Sequence, residues 1–289
     1  MGFTDKHKHP TDWQLVIGIP ELRQLQAEWQ LREDVIEKDY VLGWLLTAIS
    51  AEDRFSGWIF KGGTCLRKCY YETYRFSEDL DFTIARGAPE EPEQLNTIFT
   101  DISSWLFESA GIELVIDEKS FVRKQNRRGK PTTLGRITFR GPRNSPSPPK
   151  VKLDLTSDEL LVTSTTRQPI FHSYSDATTP SPTISCYSIV ELLGEKLRAL
   201  AERCRPRDLY DIIHVYRHPD LLGRSKDVLN VLERKSAFAG IEAPTLDSIH
   251  DSEFRQEIQN EWENMLGHQL PELPPSPNTG PNSKQCSSG

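Results

Sequence analysis

The sequence lacks the features that would place the protein in a membrane or outside the cell. A transmembrane helix needs about 20 apolar residues, and the longest mostly apolar stretch, residues 40–49, is about half that length. The first residues, MGFTDKHKHPTDW, contain no apolar segment of the kind that a signal peptide carries. These absences predict a cytoplasmic protein with no membrane partner.

Cysteines are few, and their spacing is not that of a metal site or a disulfide framework. The chain has 5 cysteines, an odd number, and no two of them are separated by two residues as in many zinc sites. Cys65 and Cys69 lie near each other, whereas Cys186, Cys204 and Cys286 are scattered. We therefore predict reduced thiols, as is usual in a cytoplasm.

The sequence also lacks the positive excess of a general nucleic-acid binder, since its net charge is −7. Residues 119–152 are the exception, because they contain basic side chains and no Asp or Glu. Such a segment favours an anionic polymer as a local partner, although a solvated loop that balances acidic neighbours would have the same pattern. The segment is called the basic block, and its basic residues are Lys119, Arg123, Lys124, Arg127, Arg128, Lys130, Arg136, Arg140, Arg143, Lys150 and Lys152.

The patterns that are present indicate an α+β protein with enough apolar material, 36% of residues, for a substantial core. Strands are predicted at 58–61, 80–84, 112–116, 135–139 and 151–155. Helices are predicted at 20–50, 64–73, 95–110, 188–204, 207–216 and 247–265. We expect an α/β core with N-terminal helices over residues 1–160, a mainly helical lobe over 161–270, and a disordered tail rich in Pro and Ser over 271–289.

Three aspartates lie on predicted strands. Asp79 and Asp81 are two residues apart, so the period of a strand puts both on one face. Two neighbouring carboxylates repel each other unless a cation holds them, and Mg²⁺ (or Mn²⁺) prefers such oxygen ligands. Asp154, between Leu153 and Leu155, also needs a partner or a metal. The sequence predicts these three carboxylates as metal ligands.

A glycine turn precedes the aspartates. Gly62, Gly63 and Thr64 lie between a predicted strand and a helix start, where free backbone N–H groups and the helix dipole favour a phosphate. Ser77 shares the side of Asp79 if the strand begins early, so we predict that it borders the bound nucleotide. A phosphate on Ser77 could then gate the site by its charge. Alternatively, Ser77 only caps the turn into the strand.

A Gly-Gly turn or an Asp-x-Asp pair alone is commonly structural, but their order along the chain is informative. The order resembles the layout of polymerase-β-type nucleotidyltransferases, whose two-metal chemistry uses such a carboxylate set. The segments KGGTCLRK (61–68) and RFSEDLDFTI (75–84) resemble the signature of the AbiEii/AbiGii-type toxin nucleotidyltransferases of bacteria. VIEKDYVLGWLL (35–46) and ELLGEKLRALAERCRPRDLYDI (191–212) resemble further segments of that family.

The resemblance implies a polymerase-β-like core with a mixed sheet, followed by helices, and a site in the cleft between core and lobe. It implies transfer of a nucleotide from an NTP, often to the 3′ end of a tRNA, and a cognate antitoxin encoded nearby. The basic block would contact the RNA backbone. Two alternatives remain: a modifier that transfers AMP to protein hydroxyls, and a non-catalytic binding module of the same fold. The complete carboxylate set argues against the module.

Lys196 falls within an apolar stripe of the predicted helix at 188–204, so its ammonium must reach solvent, pair with an acid or line a cleft. The family resemblance implies that Lys196 contacts the NTP phosphates and that Asp208 and Asp211 belong to the same site. Alternatively, the two aspartates form salt bridges with Arg205 or Arg207 that hold two helices together. In the implied reaction, the aspartates at 79 and 81 hold Mg²⁺, and Asp154 assists deprotonation of the acceptor.

Overall fold

The computed structural model describes residues 16–126, 128–245, 247–248 and 255–276. The described residues up to Ser188 form one compact unit, and those from Ile189 onward form a second. The sequence predicted this division near residue 160. It falls later because two strands after residue 160 join the sheet of the first unit. Most of the predicted tail, residues 277–289, lies outside the described residues.

Eight strands of the described part form one sheet in the first unit, in the order β3-β5-β6-β2-β1-β8-β7, with β4 paired to β5. The pairs β2–β6 and β1–β8 are parallel and the others are antiparallel. The mixed sheet followed by helices confirms the predicted α+β class. The strands are β1 Trp58–Lys61, β2 Asp79–Ile84, β3 Glu113–Val115, β4 Phe121–Gln125, β5 Pro131–Arg140, β6 Lys150–Thr156, β7 Thr166–Pro169 and β8 Thr183–Cys186.

Three of these strands, β4, β7 and β8, are absent from the sequence prediction. The sequence of β7, TRQP, contains no large apolar residue, and β4 has one buried residue, Phe121, followed by exposed or half-buried ones. Such segments are held in the sheet by backbone pairing with a neighbour rather than by their own alternation of side chains. A pattern search therefore passes over them.

The helices of the first unit are α1 Ile19–Trp29, α2 Glu33–Ala51, α3 Gly62–Cys65 and α4 Pro92–Ala110, with a 3₁₀ turn at Asp53–Phe55. The single helix predicted at 20–50 is wrong, because Gln30 adopts a left-handed conformation (φ 52°) that ends α1. The helix predicted at 64–73 begins earlier, at Gly62, and continues from α3 as a π-helical turn, Leu66–Tyr70.

The sheet buries one face and leaves part of the other to polar side chains. Phe82 of β2 lies 5.0 Å, between ring centroids, from Trp58 of β1. Phe99 of α4 lies 4.9 Å from Phe121 of β4, so α4 covers this apolar face. Because successive strand residues point to opposite faces, Asp79 and Asp81 are carried on the face away from Phe82.

The second unit consists of helices in its described part, as predicted, although α7 was not foreseen. They are α5 Ile189–Arg203, α6 Pro206–Val215, α7 Ser225–Ala239 and α8 Arg255–Leu266, with a 3₁₀ turn at Pro219–Leu221. A Cβ added to Gly194 would lie 2.4 Å from Val231 Cγ1, so the missing side chain allows α5 and α7 to approach closely. No helix among the described residues has the length and apolar character needed to cross a bilayer.

Candidate functional site

The three predicted ligand carboxylates come together on neighbouring strands. The parallel pairing of β2 with β6 sets Asp81 opposite Asp154 and Asp79 opposite Lys152. The antiparallel pairing of β2 with β1 sets Asp81 opposite Lys61. Directly opposite residues project from the same face of a sheet. The sheet thus collects three acids and two lysines on one small surface, called the carboxylate face.

The carboxylates of this face are suited to bind a cation. Asp79 Oδ1 is buried without a hydrogen bond, and Lys152 Nζ lies 3.7 Å away. Desolvation raises the pKa of Asp154, whereas the charge of Lys61 and a hydrogen bond from Thr132 lower it. A carboxylate oxygen without a donor, beside two more carboxylates, is a donor set that fits Mg²⁺ or Mn²⁺.

Lys61 and Glu159 belong to the same surface, and the sequence did not single them out. Lys61 Nζ lies 2.9 Å from Glu159 Oε1, and the Lys61 side chain is 10% exposed. Its charge also acts on Asp154. Lys61 is the last residue of a buried strand and directly precedes the glycine turn. A lysine in such a position was the sequence signal that could have identified it as a site residue.

The glycine turn touches the carboxylate face directly. Gly62 has φ +82°, and a Cβ at this residue would lie 2.2 Å from Asp81 Oδ2. Thr64 Oγ1 donates a hydrogen bond of 2.5 Å to the backbone oxygen of Asp79. The hydroxyl therefore holds the start of β2 against α3, and the bare Gly62 backbone lies against the carboxylate of Asp81.

Ser77 lies next to the turn but outside the strand, which begins at Asp79. A Cβ on Gly63 would lie 3.0 Å from Ser77 Oγ and 2.7 Å from Arg75 Nη2. Both side chains are buried. The early strand start on which the same-face placement depended is not observed, and Ser77 borders the turn instead. The neighbouring Glu78 binds Lys38 Nζ at 2.8 Å.

A buried ion cluster, the Asp39 cluster, supports the helix that follows the turn. Asp39 Oδ1 accepts a hydrogen bond from Arg67 Nε, and its Oδ2 accepts one from Lys68 Nζ, both at 2.7 Å. Tyr174 donates to Asp39 Oδ2 at 3.0 Å. Burial alone would raise the pKa of Asp39, but the two cations lower it. The sequence analysis missed this cluster, although an acid inside the apolar α2 could have indicated it.

In the second unit, the predicted site residues Lys196, Asp208 and Asp211 form one buried group. Lys196 Nζ lies 3.2 Å from Asp208 Oδ1 and 2.8 Å from Asp211 Oδ2, and the lysine side chain is 12% exposed. Arg203 Nε binds Asp208 Oδ2 at 2.7 Å. Burial would raise the pKa of Asp208, but Lys196 and Arg203 lower it. The ammonium in the apolar stripe is therefore paired with acids.

Part of the basic block is neutralised within the chain. Its arginines at four positions bind acids outside the block: Arg123 with Glu90 and Glu91, Arg128 with Asp158, Arg140 with Glu113, and Arg143 with Glu33 and Glu37. Arg127 lies outside the described residues. The interpretation as charge balance therefore holds for these four arginines.

The other described basic residues of the block are exposed. Two of them, Lys150 and Lys152, lie on β6 on the same side as the carboxylates. Lys150 and Lys152 alternate with buried residues of β6 and share the side of Asp154. Arg136 of β5 is exposed and lies opposite Lys152. Within the described part of the chain, neither Arg136 nor Lys150 has an acidic partner. These three cations, called the cationic row, lead away from the three carboxylates across β6 and β5.

Comparisons with known proteins found one matching sequence family and several matching solved structures. The sequence model of the family described as "Nucleotidyl transferase AbiEii toxin, Type IV TA system" matches residues 44–285. No curated protein matches the sequence. Eight chains of solved structures match. One of them is MenT4, a nucleotidyltransferase toxin from Mycobacterium tuberculosis H37Rv, with 19% identity, coverage of 86% of this chain and 98% of that chain, and a TM-score of 0.46.

Proposed function

The chain belongs to the AbiEii family of nucleotidyl transferase toxins of type IV toxin–antitoxin systems, and we propose that it transfers a nucleotide from an NTP to the 3′ end of a tRNA. The observation that carries the proposal is the carboxylate face, where Asp79, Asp81 and Asp154 share one side of β2 and β6. Asp79 Oδ1 is buried there without a hydrogen-bond donor. A site of this kind suits phosphoryl chemistry better than simple binding.

The three carboxylates would hold Mg²⁺ or Mn²⁺, which when bound neutralises phosphate charge and polarises phosphoryl oxygens. The acceptor hydroxyl oxygen forms a bond to the α-phosphorus, the bond from that phosphorus to the bridging oxygen breaks, and pyrophosphate leaves. Asp154 lies opposite Asp81 on the same face, and we assign its carboxylate to accept the proton of the hydroxyl. Gly62 and Gly63 offer close backbone approach to a phosphate.

In the second unit, we propose that Lys196 contacts the NTP phosphates and neutralises part of their charge. Asp208 and Asp211 hold its ammonium between them at 3.2 and 2.8 Å. Arg203 shares the charge of Asp208, so the two acids and two cations of this group balance. A phosphate that displaces one acid from Lys196 would therefore meet an ammonium that is already positioned. An antitoxin is the expected protein partner of a toxin in such a system.

The acceptor is proposed to be RNA because the cationic row is continuous with the carboxylate face. A polyanion whose end lies at Asp154 would pass Lys152, Lys150 and Arg136 with its phosphates. Exposed lysines and arginines along such a path contribute affinity through release of counterions and carry little sequence information. The row is therefore suited to the backbone of any tRNA.

The first experiment tests the reaction with Asp81→Asn. Each labelled NTP is incubated with Mg²⁺, total RNA and total protein, and the label is followed in both fractions. Wild-type protein should label the 3′ end of tRNA, and Asp81→Asn should lower the rate by at least about 100-fold while keeping its Tm. Glu78→Gln is the matched control, since that acid pairs with Lys38. Label in the protein fraction would favour the protein modifier, and no label would favour the binding module.

The second experiment tests the RNA path by the salt dependence of tRNA binding. Arg136→Gln combined with Lys150→Gln should lower the slope of log K against log salt concentration by about 1.4 to 1.8, about 0.7 to 0.9 for each lost contact. Arg123→Gln combined with Arg140→Gln removes the same charge from arginines already paired with acids. An equal change of slope in both variants would contradict a path along the cationic row.

A further inference from the structure

Three buried cysteines, called the thiol cluster, meet beside the glycine turn. Cys65 ends α3, and Cys69 follows four residues later in the π-helical turn, so both side chains project to one side. Cys186 ends β8, where it pairs with Phe60 of β1. The three Sγ atoms lie within 4.8 Å of one another, and the residues are 0, 3 and 0% exposed. The tertiary structure thus assembles sulfur ligands that the sequence separates.

The size of the thiol cluster is close to that of a metal site. Three thiolates bound to one zinc ion at about 2.3 Å are about 3.8 Å from each other in tetrahedral geometry. A contraction of the sulfur separations by about 1 Å or less would therefore bring the observed side chains to bonding distance. π-helical turns recur at functional sites, and here such a turn sets the position of Cys69.

Two hydroxyls lie beside the thiol cluster. Thr166 Oγ1 lies 3.6 Å and Tyr70 Oη lies 3.9 Å from Cys186 Sγ. Tyr70 donates to the backbone oxygen of Tyr187 at 2.6 Å. Thr166 Oγ1 also lies 3.1 Å from Tyr70 Oη. A water molecule beside these hydroxyls could take the fourth place of a tetrahedral site.

The charge of the surroundings favours a cluster with one net negative charge. In the Asp39 cluster, two buried cations meet one carboxylate, which leaves one positive charge, and Lys68 directly precedes Cys69 in the chain. When Zn²⁺ binds three thiols, three protons leave to solvent and the site carries one net negative charge.

We propose that Cys65, Cys69 and Cys186 bind one Zn²⁺ ion, which ties α3 to β8 and steadies the glycine turn. The ion would be structural and separate from the carboxylate face, where oxygen donors suit harder cations. Zn²⁺ suits the thiol cluster better than Cu⁺, because a monovalent ion on three thiolates would leave −2 in a buried place. This site is independent of the proposed nucleotide transfer.

The experiment measures zinc in the full-length protein, purified with Zn²⁺ and dialysed against excess Mg²⁺. Wild-type protein should retain one zinc per chain by mass spectrometry of the metal, and a zinc-selective chelator should lower its Tm. Cys69→Ser and Cys186→Ser should each lose the zinc. Cys204→Ser is a matched control, because Cys204 is also buried but belongs to the second unit. Together with Cys286→Ser, it should keep the metal.

An absorption measurement on the wild-type protein tests the site without relying on variants that must fold. Wild-type protein loaded with Co²⁺ instead of Zn²⁺ should show the near-ultraviolet charge-transfer absorption of three thiolate ligands. Wild-type protein that stays zinc-free in excess Zn²⁺, or zinc retained by both cysteine variants, would overturn the proposal. Binding of Cu⁺ without Zn²⁺, or a disulfide that forms among the three residues in place of metal binding, would overturn it equally.

Discussion

Gly62→Ala should lower nucleotide transfer strongly and thermal stability only slightly, because it displaces a carboxylate of the carboxylate face. Gly62 has φ +82°, and a Cβ there would lie 2.2 Å from Asp81 Oδ2 and 3.2 Å from Asp81 Cβ. The left-handed backbone costs an alanine about 1 to 2 kcal/mol. Because carbon and oxygen do not approach closer than about 3.2 Å, the carboxylate must also move by about 1 Å. A displacement of this size at a reacting centre costs about 100-fold in rate.

Gly87→Ala is the matched control for this prediction. Gly87 has φ +86°, and no atom lies within 4 Å of an added Cβ, so this variant has the backbone cost without the steric conflict. Both variants should lose a few degrees of Tm, about 2 to 4 °C per kcal/mol for a unit of this size. Only Gly62→Ala should lose nucleotide transfer. Equal activities in the two variants would refute the reasoning that the turn sets the position of Asp81.

Three further predictions concern acidic side chains. Asp39→Asn should destabilise the protein by about 3 to 5 kcal/mol in urea unfolding, since it leaves two buried cations without a counter-charge. Tyr174→Phe removes the hydroxyl that donates to Asp39 and to the backbone oxygen of Ile36, and it should cost about 1 kcal/mol. Asp154→Asn, measured without divalent cations at pH 8, should change Tm little, because Asp154 is exposed on β6 and lies opposite the carboxylate of Asp81. A clear drop in Tm would contradict this. The lowered pKa of Asp208 contributes stability that is complete above the pKa of an aspartate in the unfolded chain, about 3.9, and is lost as the pH falls further. Asp208→Asn should therefore be less stable than the wild type at pH 6 and lose less stability between pH 5 and 2.5. Parallel curves of stability against pH for the two proteins would exclude this contribution.

Local patterns in the sequence were sufficient for features that depend on a few neighbouring residues. The period of a strand places Asp79 and Asp81 on one face whatever β2 pairs with, and β2 has this arrangement. A Gly-Gly pair between an apolar strand and a helix start predicted the turn, and Gly62 indeed has positive φ. The apolar stripe from residue 189 predicted α5 to within about two residues at each end. In each case, backbone geometry relates residues that are near in sequence.

The partners of these residues depend on strand order, which no local pattern contains. Asp154 is part of the carboxylate face only because β6 lies parallel to β2, with Asp81 and Asp154 opposite each other. The acids that neutralise Arg123 and Arg128 lie about 30 residues away in the sequence. The sequence therefore left both interpretations of the basic block open. The edge strand β7, TRQP, was missed because backbone hydrogen bonds to β8 hold it in place.

The cysteines show this division most clearly. Composition and spacing predicted reduced thiols and an α+β core with an Asp-x-Asp strand after a glycine turn. Only the tertiary structure decided that Cys186 returns to within 4.8 Å of Cys65 and Cys69, because β8 pairs in parallel with β1. Side-chain periodicity is a property of one segment, whereas the pairing of distant strands depends on burial and hydrogen bonds summed over the whole sheet. Sites made from one segment can therefore be predicted from sequence, and sites made from several require the fold.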